Sequence, residues 1–240
     1  MKKLFILIGL AAAACSGGAR DSVTLSARMA SADGQPLPAA NGAAEVAPGI
    51  ELTRARIIVR HLRVEREDEP SELEISTGPL LVDVSGDALS GGLLELVNAN
   101  VPPGAFDELK VEIEPIEAAP TAAFADLVTR GASVLLEGTV DGRPFAFAAR
   151  LEVEVEHEGQ FELGTAASNI TLNIDASKWF KAADGSRLSP LDGAAHDAIV
   201  ANIRASFRAF DDDDEDGIED EREHHDGGGD HGGEDGGGHH

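Results

Sequence analysis

The feature that most constrains this chain is a regular alternation of apolar and polar residues, which recurs in short stretches. It is most complete at 151–156, where leucine and valines alternate with three glutamates. A period of two places one set of side chains on each face of a β-strand. The chain is therefore predicted to fold mainly into half-buried strands.

Further strands are predicted wherever this alternation is bounded by turn residues. Asp141-Gly142 tolerates the positive φ of a tight hairpin turn and should join the stretches on either side of it. Near Leu62 the apolar residues change phase, which predicts a bulge or bend. The predicted strands cover residues 23–29, 50–66, 80–84, 93–97, 109–113, 133–140, 145–156 and 170–174.

This pattern predicts a mainly β fold, an antiparallel β-sandwich of about eight strands and of immunoglobulin-like or transthyretin-like type, over residues 23–190. One segment has a different period: Ile199, Ile203, Phe207 and Phe210 recur at spacings of four, four and three. Such spacing predicts one C-terminal amphipathic helix over residues 191–210, with Asp192 or Asp197 as its cap.

The N-terminus has the pattern of an export signal. Two lysines precede an apolar run from Leu4 to Ala14, which is too short to span a hydrocarbon core of about 30 Å. Residues 1–14 are therefore predicted to be a signal peptide. It ends in the stretch LAAAAC at 10–15, which resembles the lipobox of bacterial lipoproteins, although that motif usually has leucine where Ala12 stands.

Cys15 is the only cysteine of the chain, and the resemblance implies that it is lipidated and anchors the protein to a membrane. Several acyl chains on one residue hold a protein firmly at a membrane surface. Residues 15–22 would then form a lipidated tether. Ser16, the residue after the cysteine, resembles that of lipoproteins sent to the outer membrane, so the protein is expected on the periplasmic or surface face of that membrane. The alternative is an ordinary secretory signal cut after Ala-x-Ala, with Cys15 incidental.

The charge of the chain is concentrated at its C-terminus. The formal net charge is −25, and residues 211–240 contain nine Asp and five Glu against one Arg. A field of this sign repels a phosphate backbone, which excludes a nucleic-acid binder that works through its net charge.

The most specific local pattern lies in the acidic segment 211–223. It reads Asp212-x-Asp214-x-Asp216-Gly217-Ile218-x-Asp220, with Glu223 three residues later. Side chains at alternating positions of a loop can converge on one hard cation, Gly217 permits a sharp turn, and the Ile218 carbonyl would supply a further ligand. The pattern resembles a single calcium repeat of thrombospondin type 3, and it departs from an EF-hand loop at Glu219, where an apolar residue is expected. It predicts a weak calcium site formed by Asp212, Asp214, Asp216, Ile218, Asp220 and Glu223, with a solvated acidic run as the alternative.

Residues 224–240 form a tail of glycine, acidic residues and histidine without large apolar residues. Such a composition predicts disorder. Imidazole suits zinc, copper and nickel, and glycine spacers let the ligands gather around one ion. The alternative is a solubilising tail. The predicted transition-metal ligands are His224, His225, His231, His239 and His240.

Several short motifs of the body occur together over roughly residues 23–220. They are Leu81-Val82-Asp83, Val101-Pro102-Pro103-Gly104, Leu109, Val111, Ile113, Trp179-Phe180, Asp184-Gly185, Leu188, Pro190, Ile199, Asn202-Ile203, Ser206-Phe207 and Ala209-Phe210. Through these motifs the chain resembles bacterial envelope lipoproteins of unknown function that carry a β-sandwich domain. The resemblance implies a fold and an envelope location but no activity.

Three remaining patterns have ordinary structural interpretations. Trp179 and Phe180 are expected to pack at a corner of the sandwich rather than bind a ligand. A basic stripe in one strand is expected to pair with glutamates of other strands, with an anionic lipid or glycan as the alternative. The expected partners are Glu112, Glu114, Glu152, Glu154 and Glu156. The stripe comprises Arg54, Arg56, Arg60, Arg63 and Arg66. The third pattern is a set of isolated histidines without a catalytic motif, His61, His157 and His196.

Together these patterns predict a lipid-anchored envelope protein, a non-catalytic binding or scaffolding module with a cation-binding C-terminus. A second hypothesis is a lipoprotein that sequesters or delivers zinc, copper or nickel through its His-rich tail. A third is a hydrolase whose site is assembled only in space. The protein or glycan partner of the sandwich is not identified by the sequence.

Overall fold

Strands make up most of the computed structural model, which describes residues 22–31, 33–66, 69–76, 78–101, 104–163, 168–212 and 219. Within these residues there are thirteen strands and two α-helices. The strands are β1 (Ser22–Met29), β2 (Ala39–Ala40), β3 (Ala43–Ala47), β4 (Ile50–Arg66), β5 (Glu69–Glu74), β6 (Leu80–Ser85), β7 (Leu94–Asn100), β8 (Gly104–Ile113), β9 (Val134–Val140), β10 (Arg143–Ala149), β11 (Val153–Leu163), β12 (Ser168–Ile174) and β13 (Phe207–Asp211). The helices are α1 (Ala125–Arg130) and α2 (His196–Arg204).

Nine strands form one sheet, the large sheet, in which the long strand β4 is the spine. Strands β9 and β6 pair with opposite edges of its first half, where their registers overlap from Arg54 to Ile57. Strands β8 and β5 pair with opposite edges of its second half. The register with β8 shifts between Val59 and His61, which confirms the predicted bulge.

The other four strands form the small sheet, in the order β13-β12-β1-β7. Strands β1 and β12 are parallel, with Val23 opposite Ser168 and Met29 opposite Ile174. This pair departs from the antiparallel pattern that the sequence predicted. A parallel pair needs a long crossover connection, and all nine strands of the large sheet lie between these two strands in sequence.

The core lies between the two sheets and is mainly aliphatic, as a β-sandwich requires. The inward residues of β1 and β12, including Leu25, Met29 and Leu172, belong to the same buried cluster as Ile57 and Val134 of the large sheet. A second, smaller cluster lies on the other face of the large sheet. There Leu127 of α1 and Phe124, which precedes the helix, cover Ile58 and Leu135. The predicted β-sandwich is thus confirmed.

The C-terminal helix is shorter than predicted. A 3₁₀ turn precedes it, capped by Asp192, whose carboxylate accepts a hydrogen bond from Ala194 N at 2.9 Å. Helix α2 buries Ile199 and Ile203 and ends at Arg204. The predicted helix over 191–210 is therefore wrong beyond this residue, because Phe207–Asp211 pairs with β12 as a strand.

The predicted strand 145–156 is also two strands. The hairpin at Asp141-Gly142 is confirmed, with φ of 50° and 77° at these residues. Its second strand, β10, ends at Ala149, and β11 then pairs with β8 instead. The Ser133 hydroxyl fixes the break, since it donates to Leu151 O at 2.9 Å and accepts from Leu151 N at 2.8 Å.

Among the described residues no helix is both long enough and apolar enough to cross a bilayer.

Candidate functional site

The described part of the acidic segment consists of its first residues and Glu219. Asp212 is described, and the other predicted site residues lie outside the described residues. These are Cys15, the predicted lipidation site, Asp214, Asp216, Ile218, Asp220 and Glu223 of the calcium-type loop, and His224, His225, His231, His239 and His240 of the tail.

Asp212 lies at the end of β13, fully buried on the outer face of the small sheet. Its backbone N–H donates to Asn169 O at 3.0 Å, which continues the pairing of β13 with β12 by one residue. Its carboxylate oxygen Oδ2 accepts a hydrogen bond of 2.6 Å from the Thr171 hydroxyl. The first residue of the Asp ladder is therefore fixed to the sheet through both backbone and side chain.

Asn169 connects this contact to the strand on its other side. Its side-chain N–H₂ donates to Asp212 O at 3.0 Å and to Thr171 Oγ1 at 3.2 Å, and its Oδ1 accepts from the Ser26 hydroxyl at 2.9 Å. All four residues are buried. We call Ser26, Asn169, Thr171 and Asp212 the base network, because it supports the base of the acidic loop.

Glu219 attaches a later part of the same segment to β13. Its Oε2 accepts a hydrogen bond from Arg208 Nη2 at 2.6 Å, and the Arg208 guanidinium lies 5.9 Å from the centre of the Phe210 ring. In the sequence Glu219 stood out as a departure from the EF-hand pattern. In the structure it is bonded to Arg208 of β13, the strand that the segment follows.

The base network was not predicted from the sequence. Its polar residues alternate with Ile170, Leu172 and Ile174 along β12, which is the ordinary pattern of a strand with one face in solvent. The partners are also far apart in the chain, since 41 positions separate Thr171 from Asp212. A buried carboxylate at the end of an edge strand has no local sequence signal.

A second group of carboxylates lies on the large sheet, where oxygens of Glu108, Glu156 and Glu158 all lie within 4.8 Å of one another. Hydrogen bonding with Glu154, followed by desolvation, raises the pKa of Glu156. Lys110 supplies the countercharge, with its Nζ 2.9 Å from Glu108 Oε2. This group is an exposed charged surface of the sheet partly neutralised by a lysine.

The three histidines of the body each lie beside a carboxylate. His61 Nδ1 is 3.3 Å from Glu74 Oε2, and His157 Nε2 is 3.6 Å from Asp211 Oδ2. His196 lies beside its neighbour Asp197 and against the Phe147 ring. The three are on separate elements, β4, β11 and α2.

The basic stripe and the aromatic pair have the predicted structural roles. Arg60 pairs with Glu114 and Arg63 with Glu112, as expected. Further partners that the sequence did not indicate are Asp83 for Arg54, Asp126 and Glu137 for Arg56, and Glu72 and Glu74 for Arg63. Trp179 and Phe180 are fully buried, and the Trp179 indole N–H donates to Ser206 Oγ at 2.8 Å.

Comparison with known proteins gives one similar structure. No protein-family model matches the chain, and no curated protein matches it. The solved structure of MbnP from Methylosinus trichosporium aligns with 63% of this chain and 75% of its own chain, at 14% sequence identity and a TM-score of 0.35. A similarity of this size supports no inference about function.

Proposed function

We propose that this protein is an exported, lipid-anchored binding module without catalytic activity, and that its C-terminus binds cations. The calcium-type loop is the site for a hard cation, and the histidines of the tail take softer ions. The β-sandwich supports the loop and holds it away from the membrane. The single observation that carries this proposal is the attachment of the acidic segment to the small sheet at both of its described ends.

Attachment at two points lowers the cost of gathering carboxylates around an ion. A free acidic tail must lose chain entropy when its side chains converge, and closing a loop beforehand removes part of that loss. Here Asp212 fixes one end through Thr171 and Asn169, and Glu219 fixes the other through Arg208. The six residues between them include Asp214 and Asp216, at the alternating positions that a calcium loop uses.

In this proposal Asp212 anchors the loop, since its carboxylate is buried and bonded to Thr171. The ligands are then Asp214, Asp216, Asp220 and Glu223, with the carbonyl of Ile218. Such a set has the carboxylate and carbonyl oxygens that calcium prefers, and an extracellular site of this kind has a Kd of about 10⁻⁴ to 10⁻³ M.

Calcium titration of the whole mature chain by calorimetry tests the loop. We expect binding of one ion in the wild type and loss of that binding in the double variant Asp214→Asn/Asp216→Asn. The matched control is Asp226→Asn/Asp230→Asn, which removes the same charge from the tail. At ten times the Kd, calcium should raise the free energy of unfolding by about 1.4 kcal/mol in the wild type and the control only.

Two results would contradict the loop proposal. One is the absence of binding heat at millimolar calcium. The other is an equal loss of binding in both double variants, since that identifies a diffuse attraction of calcium to negative charge rather than a site.

The lipid anchor is tested separately through Cys15. Expressed with its signal, the wild type should be found in the membrane fraction, and Cys15→Ser should move it to the soluble exported fraction. Ser16→Ala is the matched control and should remain with the membrane. Retention of Cys15→Ser in the membrane fraction would show that another part of the protein holds it there.

A further inference from the structure

Strand β10 gives the large sheet an open edge that faces solvent. Within the described residues β10 pairs only with β9, so one row of its backbone N–H and C=O groups has no strand beside it. Pro144 and Ala146 are exposed, and Ala148 is half-buried. A row of unpaired backbone groups on an exposed strand is a template for another extended chain.

The hairpin determines which backbone groups face outward. Its two-residue turn makes Val140 and Arg143 the closing pair, and such a pair exchanges both hydrogen bonds. Every second residue from Arg143 onward therefore directs its N–H and C=O groups to β9. Ala149 O agrees with this alternation, since it accepts a hydrogen bond from Ser133 N at 3.0 Å.

The remaining residues of β10 direct their backbone groups to the open edge. Ala146 and Ala148 each present one N–H and one C=O. Pro144 presents a C=O but has no N–H, so a partner strand gains its full set of hydrogen bonds only beyond this residue. The bulky side chains of Phe145 and Phe147 are buried in the core, so the outer face of the edge carries only small side chains.

Two arginines flank the open edge. Arg143, at the start of β10, is exposed and has no ion pair among the residues that the structure describes. Arg150 follows the strand, with its side chain 64% exposed and bonded to Glu152, which is 61% exposed. An exposed pair of this kind contributes little and exchanges readily for another. The edge therefore has one unpaired cation at its start and one weakly paired cation beyond its end.

The chain from Arg187 to His196 runs beside β10 on its core-facing side. Arg187 is bonded to Asp141 of the hairpin turn through both Nη1 and Nη2, at 2.9 Å each, and the centre of the His196 ring lies 5.0 Å from that of Phe147. Between these contacts lies Leu191, 42% exposed, the one large apolar side chain that is exposed in the described part of the chain. An apolar side chain of an added strand can lie against it.

A second copy of this chain fits the edge less well than a separate peptide does. Antiparallel pairing of two β10 strands over their full length would bring Arg143 of each copy beside Arg150 of the other, and Pro144 opposite Ala148. The first contact is repulsive, and the second lacks a hydrogen bond on each side. A separate peptide avoids both, because it can carry carboxylates at its ends.

We propose that the open edge of β10 binds an extended acidic segment of another protein by β-strand addition. The backbone groups of Ala146 and Ala148 bond to the segment, one of its carboxylates pairs with Arg143, and an apolar side chain lies against Leu191. This surface belongs to the sandwich and does not include the calcium-type loop. The double variant Asp214→Asn/Asp216→Asn should therefore bind the segment as the wild type does.

Hydrogen exchange followed by NMR on the whole mature chain labelled with ¹⁵N tests the proposal. The probe is an acetylated and amidated heptapeptide in which valine and serine alternate between two terminal glutamates. In the free protein the amides of Ala146 and Ala148 should exchange rapidly, and that of Phe145, which bonds to β9, slowly. Saturating peptide should slow the exchange of Ala146 and Ala148 at least about tenfold and leave that of Phe145 unchanged.

The charge preference is tested with a second peptide, in which lysine replaces both glutamates. It should bind the wild type at least about tenfold more weakly than the acidic peptide. Arg143→Glu should reverse the order of the two peptides, because the cation at the start of the edge becomes an anion. The matched control is Arg204→Glu, which changes an exposed cation at the far end of α2 and should leave the order unchanged.

The backbone contacts are tested with Ala146→Pro. This variant removes an outward N–H without removing a bond to β9, and proline is tolerated on edge strands, so it should abolish binding of the acidic peptide. Ala122→Pro, at the first residue of the 3₁₀ turn before α1, is the matched control and should bind normally. Circular dichroism checks folding, and an acidic peptide with N-methylated backbone nitrogens, which should not bind, replaces Ala146→Pro if that variant is unfolded.

Three results would overturn the proposal. The first is unchanged exchange of Ala146 and Ala148 at saturating acidic peptide. The second is equal binding of the acidic and the basic peptide to the wild type. The third is protection of these two amides that rises with protein concentration in the absence of peptide, since that would assign the edge to a second copy of the chain.

Discussion

The outward faces of the two sheets place their polar residues in different environments. On the large sheet, cationic side chains such as Arg54, Arg63 and Lys110 pair with carboxylates of neighbouring strands while remaining between 17% and 40% exposed. On the small sheet, the base network joins hydroxyl, amide and carboxylate groups that are all buried. The first face has many charges in contact with water, whereas the base network of the second face is shielded from it.

This difference determines which contacts stabilise the fold. An ion pair in contact with water is replaced by hydration when one partner is removed, so its net contribution is small. A buried hydrogen bond leaves its remaining partner without water when it is broken, so its loss is costly. The small sheet should therefore be the more sensitive of the two to polar substitutions, although it has fewer charges.

The largest effect is expected at Asp212. Asp212→Ala removes the acceptor of the buried Thr171 hydroxyl and should lower the free energy of unfolding by about 2–3 kcal/mol. Asp212→Asn keeps an acceptor oxygen and should cost less than half of this. Asp211→Ala, which changes the neighbouring residue on the opposite face, is the matched control and should cost under about 1 kcal/mol. Urea unfolding of the mature chain measures all three.

Equal losses of unfolding free energy in Asp212→Ala and Asp211→Ala would contradict the proposed difference between the two sheets, because burial of the carboxylate would then not determine the cost. The same variants also bear on the calcium-type loop. Asp212→Ala should weaken calcium binding because one end of the segment is released, and Asp211→Ala should not.

An intermediate effect is expected at Arg56, the buried member of the basic stripe. Its side chain is 5% exposed, whereas its partners Asp126 and Glu137 are 68% and 38% exposed. Glu137→Gln leaves a buried guanidinium with one exposed partner and should cost about 1 kcal/mol, below the 3–5 kcal/mol of a fully buried pair.

The matched substitution is at Asp83, the partner of Arg54, which lies on the same face of β4 as Arg56. Asp83→Asn removes the partner of Arg54, whose side chain is 40% exposed, and should cost under about 1 kcal/mol and less than Glu137→Gln. Thermal unfolding of both variants gives the order. If Asp83→Asn destabilises the protein more than Glu137→Gln does, the exposure of the cationic side chain does not determine the cost, and it does not explain the difference between the two sheets.

The parts of the fold that were predicted correctly depend on local sequence. Strand β4 was predicted with its observed bounds, and its bulge was visible as a change of phase in the apolar residues. The hairpin turn at Asp141-Gly142 was visible because few dipeptides tolerate positive φ at both positions.

The errors arose where a distant contact interrupts a continuous pattern. The alternation of apolar residues runs through Leu151 without a break, and the interruption comes from Ser133 on another strand. Likewise Phe207 and Phe210 fit a helical period, but pairing with β12 draws this segment into a sheet. Neither contact has a signal within the segment that it changes.

The candidate sites divide in the same way. The calcium-type loop and the metal-binding tail could be predicted from the sequence alone because their candidate ligands are close together in it. The base network combines residues of β12 with residues far from them in the chain, namely Ser26 and Asp212. Its polar side chains on β12 alternate as those of any exposed strand do, so only the packing distinguishes them.

The smallest effect is expected at Glu156, and its sign depends on pH. Its pKa is raised, first by hydrogen bonding with Glu154, so at neutral pH the folded state keeps this carboxylate ionised among other negative charges. The folded state therefore takes up a proton before the unfolded chain does as the pH falls, and this unfavourable contribution disappears below about pH 4, the ordinary range of a glutamate. Glu156→Gln should accordingly be slightly more stable than the wild type at pH 7 and equal to it at pH 3.

Glu152→Gln is the matched control on the same stretch of chain, since it removes one carboxylate that pairs with Arg150. It should show no gain at pH 7. Added salt should shrink the gain of Glu156→Gln because it screens repulsion between exposed charges. Urea unfolding at the two pH values measures the difference, and a gain that persists unchanged at pH 3 would assign it to packing of the side chain. On the large sheet, then, removing a charge at Glu156 should stabilise the fold, whereas removing the Asp212 carboxylate from the small sheet should destabilise it.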